Sequence, residues 1–201
     1  MTTDITYAQV DSWFGHCRRD LKLDLIYPED GEGKAYPCIV WICGGAWQRM
    51  DKAAHLACMA ALNRDKKLDT GEYLEYSSQV QAACPWYPPT DASHFPYNDV
   101  EKAAMSSESL LMGFNVMTHP QEAYENSPVS KVTPDAPPFL LIHGTKDSTV
   151  PFSQSEELYD ALEAAGCDVT LLALDGAEHA DLMFFQDEVW QQIIAFFKRT
   201  L

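Results

Sequence analysis

The run Phe139-Leu140-Leu141-Ile142-His143-Gly144 has no polar face until its last two residues. A strand points successive side chains to opposite sides of its sheet. Such a run is therefore stable only where both sides are covered, the condition of a parallel sheet between helices. The residues C-terminal to it obey the same plan. Ser153 to Ala165 reads as a helix, with Glu156 and Glu157 in the first turn, Leu158 and Leu162 at i,i+4, and Gly166 just beyond its end. Val169 to Leu174 is another strand. Asp187 to Arg199 closes the chain as an amphipathic helix carrying Val189, Ile193, Phe196 and Phe197. Strands alternating with helices predict an α/β fold with a mainly parallel sheet.

The N-terminal half carries the same signals less regularly. Tyr36 to Cys43 is a continuous apolar, β-branched run that predicts a strand buried on both faces. Alternation in Leu21 to Tyr27 predicts a half-exposed strand, ended by the turn Pro28-Glu29-Asp30-Gly31. Val80 to Tyr87 is a weaker strand, ended by Pro88-Pro89-Thr90-Asp91. Together, strand Tyr36–Cys43, a helix over Ala53–Asn63 and strand Val80–Tyr87 would make a βαβ unit. At 201 residues the chain suits one domain, 1–201.

A formal net charge of −16 and a sequence pI near 4.5 repel phosphate backbones and anionic lipid, arguing against nucleic-acid and membrane partners. No apolar run approaches the roughly 18 residues that span a bilayer. Met1-Thr2-Thr3-Asp4 does not open a secretory signal. Cysteines at 17, 38, 43, 58, 84 and 167 form no CxxC pair and no His/Cys cluster at zinc spacing. They read as reduced core thiols of a cytoplasmic protein without structural disulfides or metal. With no Gly-rich phosphate loop either, no cofactor is expected.

In a parallel sheet, chemistry sits at the carboxyl ends of strands, and three such ends stand out. Cys43-Gly44-Gly45-Ala46-Trp47 follows the Tyr36–Cys43 run, and its glycines let backbone N–H groups approach a ligand closely. Asp147 lies four residues beyond the strand ending at His143, before Val150-Pro151 and a helix. A carboxylate there can orient an imidazole and stabilise its charged form. His179, in Asp175-Gly176-Ala177-Glu178-His179-Ala180-Asp181, comes after the last strand and precedes the last helix. His143, at a strand end, reads as a hydrogen-bonded structural residue and not as a base. The ordinary alternatives are a tight turn for the glycines, a turn-forming Asp for Asp147 and a lone loop histidine for His179. Their joint occurrence in the order glycine loop, acid, base is far more specific than any one of them.

With these motifs in that order, the chain from about Leu21 to Leu201 resembles the esterase/lipase branch of the α/β-hydrolases, including acetyl- and feruloyl-ester hydrolases. Tyr76 to Ala83, Trp86-Tyr87, Pro89-Thr90-Asp91 and the Ser127-Pro128 to Pro137-Pro138 stretch resemble that branch too. The resemblance implies an α/β-hydrolase sheet and a carboxylic-ester hydrolase acting on small acyl or aryl esters. It implies Asp147 as triad acid, His179 as base, and amides of Gly44, Gly45 and Ala46 as oxyanion hole, with Cys43 replacing the usual His. Trp47, Trp86, Tyr87 and Phe95 become candidates for a substrate pocket, with core packing as the alternative for each.

One part of the pattern is missing. No serine sits in a G-x-S-x-G elbow. Ser106, Ser107 and Ser109 lie in a helix-like stretch, Ser77 and Ser78 precede a strand, and Cys58 and Cys84 lack flanking glycines. Asp51-Lys52-Ala53-Ala54-His55-Leu56 resembles the segment after the oxyanion loop, and the stretch from His55 equally resembles the helix after the elbow. This places an internal deletion near 54–57 that removes central strands and the nucleophile. Four readings result: a carboxylic-ester hydrolase impaired by that loss, a non-catalytic binding or structural domain on the same scaffold, a hydrolase using Ser106 or Cys58, and a deletion product of a longer enzyme. The shortened sheet either closes ranks or leaves an edge that self-association covers.

Overall fold

In a computed structural model, residues 1–11, 18–26, 36–42, 53–69 and 74–201 are described. They fall into two units, Met1–Val40 and Trp41–Leu201. In the first, β1 (Thr2–Asp11) pairs antiparallel with β2 (Arg18–Leu25), from Thr2 opposite Leu25 to Asp11 opposite Arg18, with register shifts after Thr2 and Thr6. The strand expected at Leu21 to Tyr27 is thus β2. Its partner β1 is a strand the sequence pattern does not announce.

The run Tyr36 to Ile42 departs from expectation. It belongs to no strand, and Tyr36, Ile39, Val40, Trp41 and Ile42 are all exposed, Val40 by 78%. Cys43 lies outside the described residues. An apolar run is buried on both faces only when strands flank it and helices cover it. The segments that the sequence pattern marks as missing would supply those neighbours. The βαβ unit expected from Tyr36–Cys43, its helix and Val80–Tyr87 does not form around this run.

The second unit is built on β3 (Phe139–Gly144), which is buried along its whole length. It pairs in parallel with β4 (Val169–Leu174), from Phe139 opposite Val169 to Gly144 opposite Leu174. On its other side the Val80–Tyr87 segment is no continuous strand. It makes parallel bridges at Ala83–Phe139 and Trp86–Ile142, with Leu140 N donating to Ala83 O at 2.9 Å and Tyr87 N to Ile142 O at 2.7 Å. Pro85, Pro88 and Pro89 lack the N–H groups a longer ladder needs.

The alternation of β3 sorts the core into two layers. Phe139 and Leu141 join Cys58, Ala61 and Leu62 of α1 (Ala53–Leu62), together with Leu158 and Leu162 from the helix after β3. Leu140 and Ile142 face the opposite way, toward Leu174 and Phe184 and toward Val189, Ile193 and Phe196 of the closing helix. Burying each large apolar side chain contributes roughly 1.5–3 kcal/mol, so a two-sided β3 anchors the unit. α1 runs unbroken across the inferred deletion point at 54–57.

Three short helices, α2 (Val100–Ala104), α3 (Ser107–Met112) and α4 (Pro120–Glu125), lie between the bridging segment and β3 in the chain. They are started locally, by the caps Asp99 on α2 and Ser106 on α3, and by Pro120 on α4. The crossover from β3 to β4 is α5 (Ser153–Ala164). It ends at Gly166, whose φ of 77° accommodates the left-handed turn while Cys167 N donates to Leu162 O at 2.9 Å. The final helix, α6 (Asp187–Thr200), has Asp187 and Glu188 in its first turn and Lys198 and Arg199 in its last, with Arg199 paired to Asp168. Among the described residues no helix is long and apolar enough to cross a membrane.

The start of α5 has no side-chain cap. Instead, its first turn reaches inward. Gln154 is fully buried, and its Oε1 accepts hydrogen bonds from Thr90 N at 2.9 Å and Asp91 N at 2.8 Å. Thr90 Oγ1 donates to Gln154 O. Replacing Gln154 by Leu strands two buried N–H groups, at about 1–3 kcal/mol each. It also removes Nε2, which is buried with no partner among the described residues, so the two effects partly cancel. The expected net loss is about 2 kcal/mol, read as a lower urea midpoint at unchanged m-value; an unchanged midpoint would mean these bonds do not hold the loop.

Candidate active site

The carboxyl ends of β3 and β4 bring Asp147 and His179 together. His179 Nδ1 donates to Asp147 Oδ2 at 2.7 Å. The Asp147 side chain is fully buried, while that of His179 is 25% exposed. A proton held between Nδ1 and the carboxylate leaves Nε2 as the basic nitrogen, the tautomer a general base requires.

Several groups hold Asp147 in place. Its Oδ1 accepts from Thr149 N at 2.9 Å and Val150 N at 2.8 Å, a local turn that also orients the carboxylate. His143 approaches Oδ2 from the other side, its Nε2 at 3.3 Å. That same nitrogen lies 3.0 Å from Val150 O. A carbonyl only accepts, so Nε2 carries a hydrogen and Nδ1 accepts from the Ser155 hydroxyl at 2.7 Å. His143 is wholly buried and makes the structural contacts expected of a strand-end histidine. Burial alone would raise the Asp147 carboxyl. Hydrogen bonds from His143, His179 and Val150, with the His179 charge, outweigh it and hold the group well below the usual carboxylate range.

The loops that carry Asp147 and His179 are stitched to each other. Lys146 N donates to Ala177 O at 3.0 Å and Thr145 N to Leu174 O at 3.0 Å. Gly176 N donates to Thr145 Oγ1 at 2.8 Å. Glu178, beside the histidine, accepts from Ser148 N at 3.1 Å and Ser148 Oγ at 2.9 Å. The loop that carries His179 turns at Gly176 (φ 78°) and at Ala180 (φ 56°). An alanine in the left-handed region costs about 1–2 kcal/mol, so the bend just after His179 is held by its surroundings.

Tyr87 has φ 39°, another non-glycine residue in that region, and its ring centroid stands 4.3 Å from the His179 ring. Burial and the charge of Asp147 push its phenol up. Strained backbone thus flanks the imidazole on two sides. Trp86 faces elsewhere, into an aromatic group with Trp41, Phe184, Phe185 and Trp190 at centroid distances of 5.6–5.9 Å. Phe95 stacks on Tyr97. Of the candidate pocket residues within the described set, Tyr87 is the one against His179.

Gly44, Gly45, Ala46 and Trp47 lie outside the described residues. The substitute nucleophiles Ser106 and Cys58 are both described, and neither they nor Cys84 are placed for the task. Cys58 is wholly buried in the α1 layer, and burial pushes its thiol far above the range where a thiolate forms. Cys84 is likewise pushed up to about 12. Ser106 is spent as the cap of α3, accepting from Ser109 N at 3.2 Å.

A histidine on the loop after one parallel strand, bonded to an aspartate after its neighbour, is the acid–base arrangement of the α/β-hydrolases. The BD-FAE family matches residues 53–162, and this chain belongs to that family. It is 35% identical over 146 residues to Esterase LipQ of Mycobacterium tuberculosis, covering 72% of this chain and 33% of that protein. It is 29% identical over 143 residues to the isoprenylcysteine alpha-carbonyl methylesterase ICME of Arabidopsis thaliana, covering 67% of this chain and 32% of that protein. Among solved structures it is similar to a truncated carbohydrate esterase from gut microbiota, at TM-score 0.65 and 25% identity. That match covers 74% of this chain and 56% of the other. The chain therefore spans about a third of the length of these curated relatives and about half of that structure's. The fold is that of an α/β-hydrolase esterase, reduced in size.

Proposed function

We propose that this chain carries the acid and base of a Ser-His-Asp type carboxylic-ester hydrolase, and that its own turnover is strongly impaired. The observation that carries the reading is the 2.7 Å bond from His179 Nδ1 to the buried Asp147 carboxylate. In the active arrangement His179 would take the proton of an attacking hydroxyl and return it to the leaving group. Asp147 would stabilise the imidazolium, and amides at Gly44, Gly45 and Ala46 would hold the oxyanion. Small acyl or aryl esters, carbohydrate-linked ones included, are the substrate class. Support comes from the esterase names of the relatives and from Tyr87 beside the base.

Impairment is the consequence of the missing elbow. Loss of a triad nucleophile can lower turnover about a millionfold. The same proposal includes a single hydrolase-like domain with an internal deletion near 54–57, supported by the absence of a G-x-S-x-G elbow between the glycine loop and Asp147. It includes a cytoplasmic setting, supported by the free thiols of Cys38, Cys58, Cys84 and Cys167. The charge of −16 supports the absence of nucleic-acid partners. Self-association through a sheet edge left uncovered by the shortened sheet completes it.

The test is a fluorophosphonate probe with peptide mass spectrometry, run beside a short-chain aryl-ester assay. Folded protein is expected to show no labelled serine and turnover close to the uncatalysed rate. One labelled serine, with turnover abolished by His179→Ala, would instead establish a working hydrolase with a displaced nucleophile and overturn the impairment.

A further inference from the structure

Outside the hydrolase site, three side chains converge where the loop after the bridging segment meets α5. Asp91 leads the 3₁₀ turn Ala92–His94, His94 ends that turn, and Glu157 lies on α5. His94 Nδ1 sits 3.2 Å from Glu157 Oε2 and 3.5 Å from Asp91 Oδ2. One ligand atom from each of the three lies within 4.8 Å of the others.

The two spacings from His94 suit a coordination sphere. Ligands held tetrahedrally at 2.0–2.2 Å from zinc are separated by about 3.3–3.5 Å, close to both observed N···O distances. Asp91 is preorganised for the role, since it is 1% exposed. Its N–H is held by Gln154 Oε1 at 2.8 Å, and its Oδ1 by Ser93 N at 2.8 Å and Ser93 Oγ at 2.6 Å. This directs Oδ2 toward His94. Among the described residues no Lys or Arg is paired with either carboxylate, so His94 is their one ionic partner there. An imidazole with two carboxylates favours zinc and its first-row neighbours over calcium or magnesium, which prefer all-oxygen shells.

We propose that Asp91, His94 and Glu157 form a binding site for a divalent transition metal such as Zn²⁺, with a fourth position left to water or an exogenous ligand. The chain shows no zinc spacing along its length because 63 residues separate His94 from Glu157 and only the fold joins them. The metal would fasten the 91–94 turn to α5. That helix also carries Ser155, which bonds His143 behind Asp147. The proposal does not depend on the ester-hydrolase reading, and its test does not use turnover.

The full chain, stripped with a chelator, is titrated with Zn²⁺ against a chromogenic competitor and with Co²⁺ in the visible range. The expected result is one equivalent bound, with Co²⁺ showing four-coordinate d–d bands and no thiolate charge-transfer band. Affinity should fall at least about tenfold in both His94→Ala and Glu157→Gln, with unchanged circular dichroism. His94 is exposed and Glu157→Gln keeps its shape, so at least one variant is expected to fold. Zn²⁺ should also raise the unfolding temperature of the parent and not of the variants. Three results would overturn the site: no stoichiometric binding, which leaves an ion-pair cluster only; binding that both variants retain; or a thiolate band, which places the metal on cysteine.

Discussion

Gly144→Ala is expected to unfold at a markedly lower denaturant concentration than the parent, by about 3 kcal/mol or more. The methyl group it adds would lie 2.4 Å from Ala177 O and 2.8 Å from Ala177 C. Both atoms are backbone and cannot swing aside. The end of β3 would have to part from the His179 loop, and Lys146 N to Ala177 O and Thr145 N to Leu174 O are the bonds that would open. Those bonds set how far His179 lies from Asp147, so the variant should also lose their 2.7 Å hydrogen bond. A proton spectrum reports this, since the strongly deshielded Nδ1–H of a His–Asp pair should vanish. Gly113→Ala is the control. Its φ of 76° costs an alanine about 1–2 kcal/mol, but no atom lies within 4 Å of the added methyl. It should therefore lower stability modestly and leave the imidazole signal in place. Equal losses in the two variants would show that the close approach at Ala177 does not govern the site.

The C-terminal half is legible in the sequence. Phe139–Gly144, Val169–Leu174 and the helices over 153–164 and 187–200 appear where the pattern places them, because each carries its own burial code. Asp147 and His179 come after neighbouring parallel strands, so topology alone makes them converge without long-range detail. Where sequence and structure part, the missing information lies in partners. Tyr36–Ile42 has the composition of a buried strand, yet composition cannot supply neighbours, and most of its apolar side chains stand exposed. β1 has no apolar code strong enough to announce it and exists by pairing with β2. Gln154 has the look of an ordinary polar helix residue. Its burial beneath Thr90 and Asp91 is decided by contacts more than sixty residues away, as is the Asp91–His94–Glu157 cluster.

The aspartate itself should be the most costly side chain to remove. Asp147→Ala deletes a fully buried carboxylate that faces Thr149 N, Val150 N, His143 Nε2 and His179 Nδ1 at 2.7–3.3 Å. Stranding these donors should lower stability by about 3–5 kcal/mol. Asp147→Asn should cost less, because its amide oxygen still serves the two backbone N–H groups. It nevertheless points an NH₂ group at His179 and forces the other tautomer on that ring. Acid separates the parent from the Asn variant. The folded carboxyl of Asp147 titrates well below its value in an unfolded chain, about 3.9. Its stabilising contribution is complete above that value and disappears as pH falls through the folded one. From about pH 5 downward, urea midpoints of the parent should fall faster than those of Asp147→Asn, and the gap between them should narrow. Parallel pH profiles would mean that the Asp147 charge is not what holds the two loops together. The loops would then be held together by their backbone bonds and by Ser148 on Glu178, and His179 would be positioned by packing against Tyr87 instead of by Asp147.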